Sequence, residues 1–209
     1  MDDALVSRAR SAASSVGRDA GLVVTEAVVL QNANNLAVRL LPCDTFARVA
    51  LIGREVADFE VALAQHLKAV AAPIAPLEPR VIPQVYERDG LAITFWTHVA
   101  TSSAAHSPDE YADALHRLHT ALRKVDFAAP PFTDRIASAE HLIAHPDESR
   151  ALSDDDRQFL LHSLRDSRTV ILARGRPEQL LHGEPHPGNV LTTRRGPRDG
   201  VWATRRSNR

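Results

Sequence analysis

The chain has 209 residues, 44% of them hydrophobic, which is enough to bury the core of one or two domains. Its 25 basic and 26 acidic residues nearly cancel, which excludes a whole-protein charge suited to nucleic acid or to a membrane surface. The lone Cys43 excludes an internal disulfide. No signal-like segment and no run of about 18 apolar residues occurs, so we expect a cytoplasmic protein.

The first hundred residues predict mainly strands. Residues 1–20 indicate a short polar helix or a frayed end. Three segments rich in β-branched residues then predict an antiparallel meander, at 22–30, 36–40 and 45–52. The asparagines of residues 31–35 favour a turn between the first two strands, because asparagine tolerates the left-handed conformation.

Further along the chain, helices become more frequent. Apolar residues at helical spacing predict a helix over 54–70. A proline-rich connector at 73–83 leads into a hairpin whose turn is Asp89-Gly90. Three further helices are predicted at 107–125, 133–144 and 153–173; the first begins with a serine cap and a proline. The change from strands to helices near 97–106 predicts two lobes.

The stretch HGEPHPGN, residues 182–189, carries the most chemistry. Its two prolines and two glycines exclude a helix and predict a tight loop between short strands at 180–181 and 190–191. In such a loop Glu184 can orient an attacking hydroxyl and accept its proton, and Asn189 can bind Mg²⁺ through its amide oxygen. Two alternatives are an ordinary polar turn and a zinc site. The histidines of zincin-type sites lie one turn apart on a helix, which Pro185 and Gly183 exclude here, and a single cysteine cannot supply a set of thiolate ligands.

The same eight residues resemble the catalytic loop H-G-D-x-x-x-x-N of the aminoglycoside phosphotransferase and choline kinase superfamily, which is related to the protein-kinase catalytic loop. This chain has Glu184 where that family has aspartate. Residues 60–73 are similar to the family's E-x-A-L-x-x-x-L-x-x-x-x-A-P helix, whose glutamate pairs with a basic residue of the third strand. Glu60 and Arg48 occupy these positions, with arginine instead of lysine. Residues 115–122 resemble the family's L-x-x-L-H-x-x-L helix, in which we expect His119 to be structural.

This resemblance implies an α+β, bilobal protein-kinase-like fold. Residues 1–100 would form an antiparallel-sheet, nucleotide-binding lobe, and residues 101–209 a mostly helical, incomplete lobe with the catalytic-type loop. ATP and Mg²⁺ would bind between the lobes, with the phosphates near Arg48 and Glu60. Adenine would lie at a hinge that contains Trp96 and His98. The expected partner is a small-molecule hydroxyl acceptor, with no nucleic acid and no membrane; the oligomeric state stays open.

The family also uses an aspartate as a second metal ligand about a dozen residues after the loop asparagine. Asp199 is the candidate here, although it lacks the apolar strand that usually precedes it. We therefore expect a chain that is truncated at its C-terminus relative to the family. The predicted function is an ATP-dependent phosphotransferase acting on a small-molecule hydroxyl. The alternative is a catalytically inactive relative that at most binds nucleotide or a protein partner.

Overall fold

The computed structural model describes residues 1–51, 56–101, 107–175, 179–183 and 189–193. These residues form five helices and a five-stranded sheet, an α+β fold as predicted. The helices are α1 (Asp3–Asp19), α2 (Val56–Ala69), α3 (Pro108–Leu122), α4 (Phe132–Ala144) and α5 (Asp154–Ala173). The strands are β1 (Val24–Asn32), β2 (Leu36–Pro42), β3 (Thr45–Leu51), β4 (Tyr86–Arg88) and β5 (Leu91–Thr97).

All strand pairs are antiparallel, in the order β1-β2-β3-β5-β4. The predicted hairpin turn is present between β4 and β5, where Asp89 and Gly90 have φ angles of 54° and 73°. Two successive residues with positive φ match the right-handed twist of the paired strands, which is why Asp-Gly favours this turn.

One face of the sheet packs against α1. The helix presents a stripe of small residues, Ala9, Ala12, Ala13 and Val16, whose spacing places them on one side. Gly17 continues the close approach, since a Cβ there would lie 3.1 Å from Cδ1 of Leu40. The first twenty residues therefore form a full helix of 17 residues rather than a frayed end.

The opposite face of the sheet carries polar and aromatic side chains. Strand pairing aligns Ala37, Arg48 and Thr94 in one row across the sheet. The next row contains Phe46 and Trp96. Side chains alternate between faces along a strand, so both rows lie on the side away from α1.

A second apolar cluster joins α2 to α3. It contains Leu63 and Leu67 of α2, Ala114, Leu118 and Leu122 of α3, and Val190. The start of α3 has the predicted capping box: Ser107 accepts a hydrogen bond from the backbone of Glu110, whose side chain bonds the backbone of Ser107. This pair satisfies two N–H groups that the first helical turn leaves without partners.

Backbone contacts divide the chain into two compact units. Met1–Phe127 and the described residues from Leu180 onward form one, and Ala128–Gln179, with α4 and α5, forms the other. In the second unit the buried guanidinium of Arg157 bonds the carbonyl of Ile143 and the hydroxyl of Ser149. None of the helices in the described ranges has the length and apolar character needed to span a bilayer.

The two short strands expected around the catalytic-type loop do not form as regular strands in the described residues. Leu180 and Leu181 have no strand assignment, and beyond the loop there are only isolated bridges, such as Thr101 with Thr193. Two apolar residues are too few to sustain a ladder. The anchoring comes instead from packing of Val190 between α2 and α3.

Candidate functional site

The predicted pairing of Arg48 with Glu60 is present on the face of the sheet opposite α1. Nη1 of Arg48 donates to Oε2 of Glu60 at 2.5 Å. The alternation of β3 directs Arg48 away from α1, and the helical spacing of α2 turns Glu60 toward the sheet. Asn35 also belongs to this site, although no sequence motif marks it. Its amide oxygen, when turned toward the guanidinium, accepts from Nη2 and Nε of Arg48 at 2.5 and 3.0 Å.

Glu60 lies in an unusually apolar setting for a carboxylate. Its side chain is 5% exposed, against 17% for that of Arg48. Burial raises the pKa of Glu60 above its ordinary value of 4.5, and the charge and hydrogen bond of Arg48 oppose that rise. The second carboxylate oxygen, Oε1, has no hydrogen-bond partner among the described residues. Among the described residues, the hydrogen bond from Arg48 is therefore the one contact that satisfies the Glu60 carboxylate.

The guanidinium of Arg48 keeps part of its donor capacity. Of its five N–H groups, one bonds Glu60 and two bond Asn35. The remaining two, one on each terminal nitrogen, have no partner in the described ranges. Because Glu60 and Asn35 hold the plane of the group, these two donors are fixed in direction. A fixed pair of guanidinium N–H groups suits bidentate binding of a phosphate.

Trp96 and His98, the predicted hinge residues, lie at the end of β5. Trp96 is buried and donates from its indole N–H to Oγ1 of Thr94 at 2.9 Å. Its side chain is therefore part of the sheet face beside Arg48. His98 lies 3.1 Å from Asp44 through its Nδ1, and Asp44 also pairs with Arg39 at 2.6 Å.

Backbone hydrogen bonds to β5 limit which residues of the predicted hinge could bind a ligand. The segment that precedes β4 pairs with it: Glu78 N–H donates to Phe95 at 3.1 Å, and Thr97 N–H donates to Pro76 at 2.9 Å. Within the described residues, no further backbone pairing occurs between Thr97 and the bridge at Thr101. The stretch 98–100 is thus the part of the predicted hinge whose backbone groups are open to a ligand.

The lowered pKa of His98 favours its neutral form. Burial lowers the pKa of His98 below 6.5 and the positive charge of Arg39 adds to this, while Asp44 acts in the opposite direction. A neutral imidazole next to the open stretch 98–100 adds no charge there. This suits a base such as adenine better than it suits a phosphate.

The catalytic-type loop is tied to α3 at its start. His182 is buried, and its backbone N–H donates to Nε2 of His119 at 3.4 Å. Nε2 must be unprotonated to accept this bond. Burial lowers the pKa of His119, and the neighbouring Arg123 and His116 lower it further, which favours that neutral form. His119 is thus a positioning residue, in agreement with its predicted structural role.

The end of the loop is held by α2. Asn189 is half-buried and directly precedes Val190, which packs against Leu63 and Leu67. Since Glu60 is one turn before Leu63 on the same helix, α2 links the Arg48 pair to the predicted metal ligand Asn189. The predicted base Glu184 and the predicted second metal ligand Asp199 lie outside the described residues.

Glu78 is a second buried carboxylate, which the sequence did not predict. Glu78 accepts from Oγ1 of Thr45 at 3.0 Å and from Nε and Nη2 of Arg80 at 2.6 and 2.7 Å. Burial alone would raise the pKa of Glu78, but the bonds from Arg80 and Thr45 outweigh it and the pKa is lowered. This group fixes the segment that pairs with β5. No sequence signal marks it, because Thr45 lies 33 residues before Glu78 in the chain.

Comparison with known proteins agrees with this arrangement. The model of the phosphotransferase enzyme family, APH, matches residues 28–201. Among solved structures, the streptomycin–ATP ternary complex of APH(2″)-IIa has a TM-score of 0.61 and 13% identity, covering 97% of this chain and 71% of that one. The complex of a thermostable APH(4)-Ia mutant with ADP and hygromycin B has a TM-score of 0.60 and 15% identity, covering 93% and 71%. The GDP complex of aminoglycoside 2′-phosphotransferase-IIIa has a TM-score of 0.60 and 14% identity, covering 91% and 69%. No curated protein matches the chain.

The fold is that of the protein-kinase-like phosphotransferases, as predicted, with an antiparallel sheet that carries the Arg48–Glu60 pair. Within that class, the chain belongs to the phosphotransferase enzyme family APH.

Proposed function

We propose that this protein transfers the γ-phosphoryl group of ATP to a hydroxyl group of a small molecule. The observation that carries the proposal is the Arg48–Glu60 ion pair on the face of the sheet opposite α1. It occurs between a third strand and the following helix, where the family pairs a basic residue with a glutamate. Membership of a phosphotransferase family supports the same reaction type.

Arg48 would bind the phosphates of ATP through the two N–H groups that Glu60 and Asn35 leave unused. Two parallel N–H···O bonds would hold one phosphate more rigidly than a lysine ammonium could. The adenine ring would lie near residues 98–100, where the backbone groups are open to a ligand. The buried Trp96 covers the end of the sheet face beside this stretch. In this proposal residues 1–100 form the nucleotide-binding lobe and 101–209 the helical lobe.

Glu184 would accept a hydrogen bond from the acceptor hydroxyl and take its proton late in the transfer. The hydroxyl oxygen then bonds to the γ-phosphorus while the bond to the β,γ-bridging oxygen breaks, releasing ADP. Asn189 and Asp199 would hold Mg²⁺, since amide and carboxylate oxygens are ligands this cation prefers. The metal would neutralise charge on the phosphates. Fixing Asn189 beside the buried Val190 suits such a role.

Within this proposal, the ligands of the similar solved structures indicate which class of acceptor to test first. The similar structures contain hygromycin B in one case and streptomycin in another. Both are polyhydroxylated amino sugars, so aminoglycosides are the first acceptors to test, followed by amino alcohols.

Calorimetric titration with Mg·ATP tests the binding half of the proposal. We expect the wild-type chain to bind and Arg48→Ala to weaken binding by at least about tenfold, which is about 1.4 kcal/mol and reasonable for a lost charge-assisted hydrogen-bond pair. Arg88→Ala is the matched control. Arg88 also forms an ion pair, with Asp19 at 2.8 Å, but lies at the far edge of the sheet. Equal affinities of the two variants would contradict the role of Arg48.

A further inference from the structure

We propose that the second compact unit contains a zinc site formed by His141, His145 and Glu148. The site is separate from the proposed nucleotide site and does not depend on it. The two histidines lie at the C-terminal end of α4, and Glu148 follows in the turn before α5. One donor atom from each of the three residues can be chosen so that all lie within 4.8 Å of one another.

The spacing is close to what zinc needs. With metal–ligand distances of about 2.0–2.2 Å, two ligands of a tetrahedral zinc are roughly 3.4 Å apart. Nε2 of His141 is already 3.8 Å from Oε1 of Glu148. The rings of His141 and His145 are 4.0 Å apart between centroids. Rotations about side-chain bonds are enough to bring three donors onto one ion, because all three residues are exposed.

Hydrogen bonding already selects the correct nitrogen of His145. Its Nδ1 is 2.7 Å from the backbone oxygen of His141. A carbonyl oxygen can only accept, so Nδ1 must carry the hydrogen and Nε2 presents its lone pair. A histidine that binds a metal through one ring nitrogen usually donates a hydrogen bond from its other ring nitrogen, often to a backbone carbonyl. This bond fixes the tautomer and the orientation of the ring.

The turn that carries Glu148 is held firmly in place. The backbone oxygen of His145 accepts from the N–H of Glu148 at 3.1 Å and from the hydroxyl of Ser149 at 2.9 Å. The buried Arg157 bonds the same hydroxyl and the carbonyl of Ile143. The backbones of the three ligands are therefore fixed relative to one another before any ion binds, which reduces the entropy lost on binding.

The chemistry of the donors selects the ion. Two imidazoles and one carboxylate favour zinc and its neighbours in the first transition series, whereas Mg²⁺ favours oxygen ligands alone. Three protein ligands leave a fourth position for water. Zinc would clamp the end of α4 to the turn before α5.

Calorimetric titration of the metal-free full chain with Zn²⁺, without nucleotide, tests this proposal. We expect one ion per chain bound through this site, with His141→Ala weakening its affinity by at least about tenfold, since even loss of an outer hydrogen-bond partner costs that much. His162→Ala is the matched control: His162 pairs with Asp166 at 3.0 Å on α5, and no third metal-binding side chain joins them among the described residues. Glu148→Gln gives a second test should His141→Ala fold poorly, and a weakening of at least tenfold is expected there also.

Saturating Mg²⁺ should leave zinc binding unchanged, because Mg²⁺ favours oxygen ligands alone. Zinc affinity that is the same in wild type, His141→Ala and Glu148→Gln would overturn the proposal, as would the absence of zinc binding. Neither result would bear on phosphoryl transfer, which involves other residues in the other unit.

Discussion

Removal of both partners of the Arg48–Glu60 pair should destabilise the protein by less than the sum of the two single removals. Replacement of Arg48 by alanine leaves a carboxylate that is 5% exposed without its cation. Loss of one partner of a buried pair typically costs about 3–5 kcal/mol. Because Arg48 is 17% exposed, we expect a value at or just below the lower end of that range, about 2–3 kcal/mol for each single variant.

A double-mutant cycle with Arg48→Ala and Glu60→Ala measures this directly. We expect a coupling energy of about 2 kcal/mol, within the range for residues in direct contact. In a chain of this size, about 2 kcal/mol corresponds to roughly 4–8 °C in Tm. Chemical denaturation followed by circular dichroism gives the four free energies of unfolding.

The exposed pair Arg88–Asp19 supplies a control cycle. Its side chains are 40% and 61% exposed, and exposed pairs contribute about 0.2–1 kcal/mol. A coupling energy at Arg48–Glu60 no larger than that at Arg88–Asp19 would refute the buried, functional pairing described above.

The pH dependence of the stability of the Arg48→Ala variant gives a second test of the pair. Burial places the pKa of Glu60 above 4.5 in the folded state, so the folded state binds this proton more tightly than the unfolded state does. Its contribution to stability is full below about pH 4.5 and is lost as the pH rises through the folded-state pKa. Without Arg48 nothing opposes the effect of burial. The loss of stability caused by Arg48→Ala should therefore be larger at about pH 7.5 than at about pH 5.

Three further outcomes are expected. His119→Gln should destabilise the protein by about 1 kcal/mol by weakening the bond to His182. Because burial lowers the pKa of His119, the free energy of unfolding of the wild type should fall as the pH drops below 6.5. Chemical denaturation at several pH values should show a smaller fall for His119→Gln, which lacks the imidazole. Arg80→Ala should cost about 1–3 kcal/mol in the same assay, since it removes the guanidinium and leaves the buried Glu78 bonded to Thr45 and to the backbone N–H of residue 80; an unchanged midpoint would show that the Arg80 side chain is dispensable. Glu184→Asp should raise turnover in an ADP-release assay, because glutamate extends the carboxylate by about 1.5 Å relative to the family's aspartate; strong inactivation would show a loop adapted to glutamate.

Local signals in the sequence were sufficient for most elements. The capping box at Ser107 and the Asp89-Gly90 turn are each determined by residues that are close together in the chain, and both are present. The Arg48–Glu60 pair was anticipated because a family pattern spans the strand and the helix. These features depend on short stretches or on a known motif.

Features that depend on register or on distant contacts were missed. Asn35 reaches Arg48 only because β2 and β3 pair with Ala37 opposite Arg48. The Glu78 cluster joins residues more than thirty positions apart, as its bond to Thr45 illustrates. The full length of α1 was underestimated because its buried side is mostly alanine, which gives a weak hydrophobic signal. The roles of Glu184 and Asp199 stay predictions from sequence.

Acceptor-dependent release of ADP from Mg·ATP is the measurement that tests phosphoryl transfer most directly. Aminoglycosides and amino alcohols are the panel, with Glu184→Gln as the test variant and Glu87→Gln, on the exposed side of β4, as its control. We expect at least one acceptor to stimulate release by the wild type and by Glu87→Gln, and Glu184→Gln to lose at least about a hundredfold, the usual contribution of a general base. A chain that binds Mg·ATP but releases no ADP with any acceptor would instead be an inactive relative, and equal rates in Glu184→Gln and wild type would contradict the catalytic role of that carboxylate.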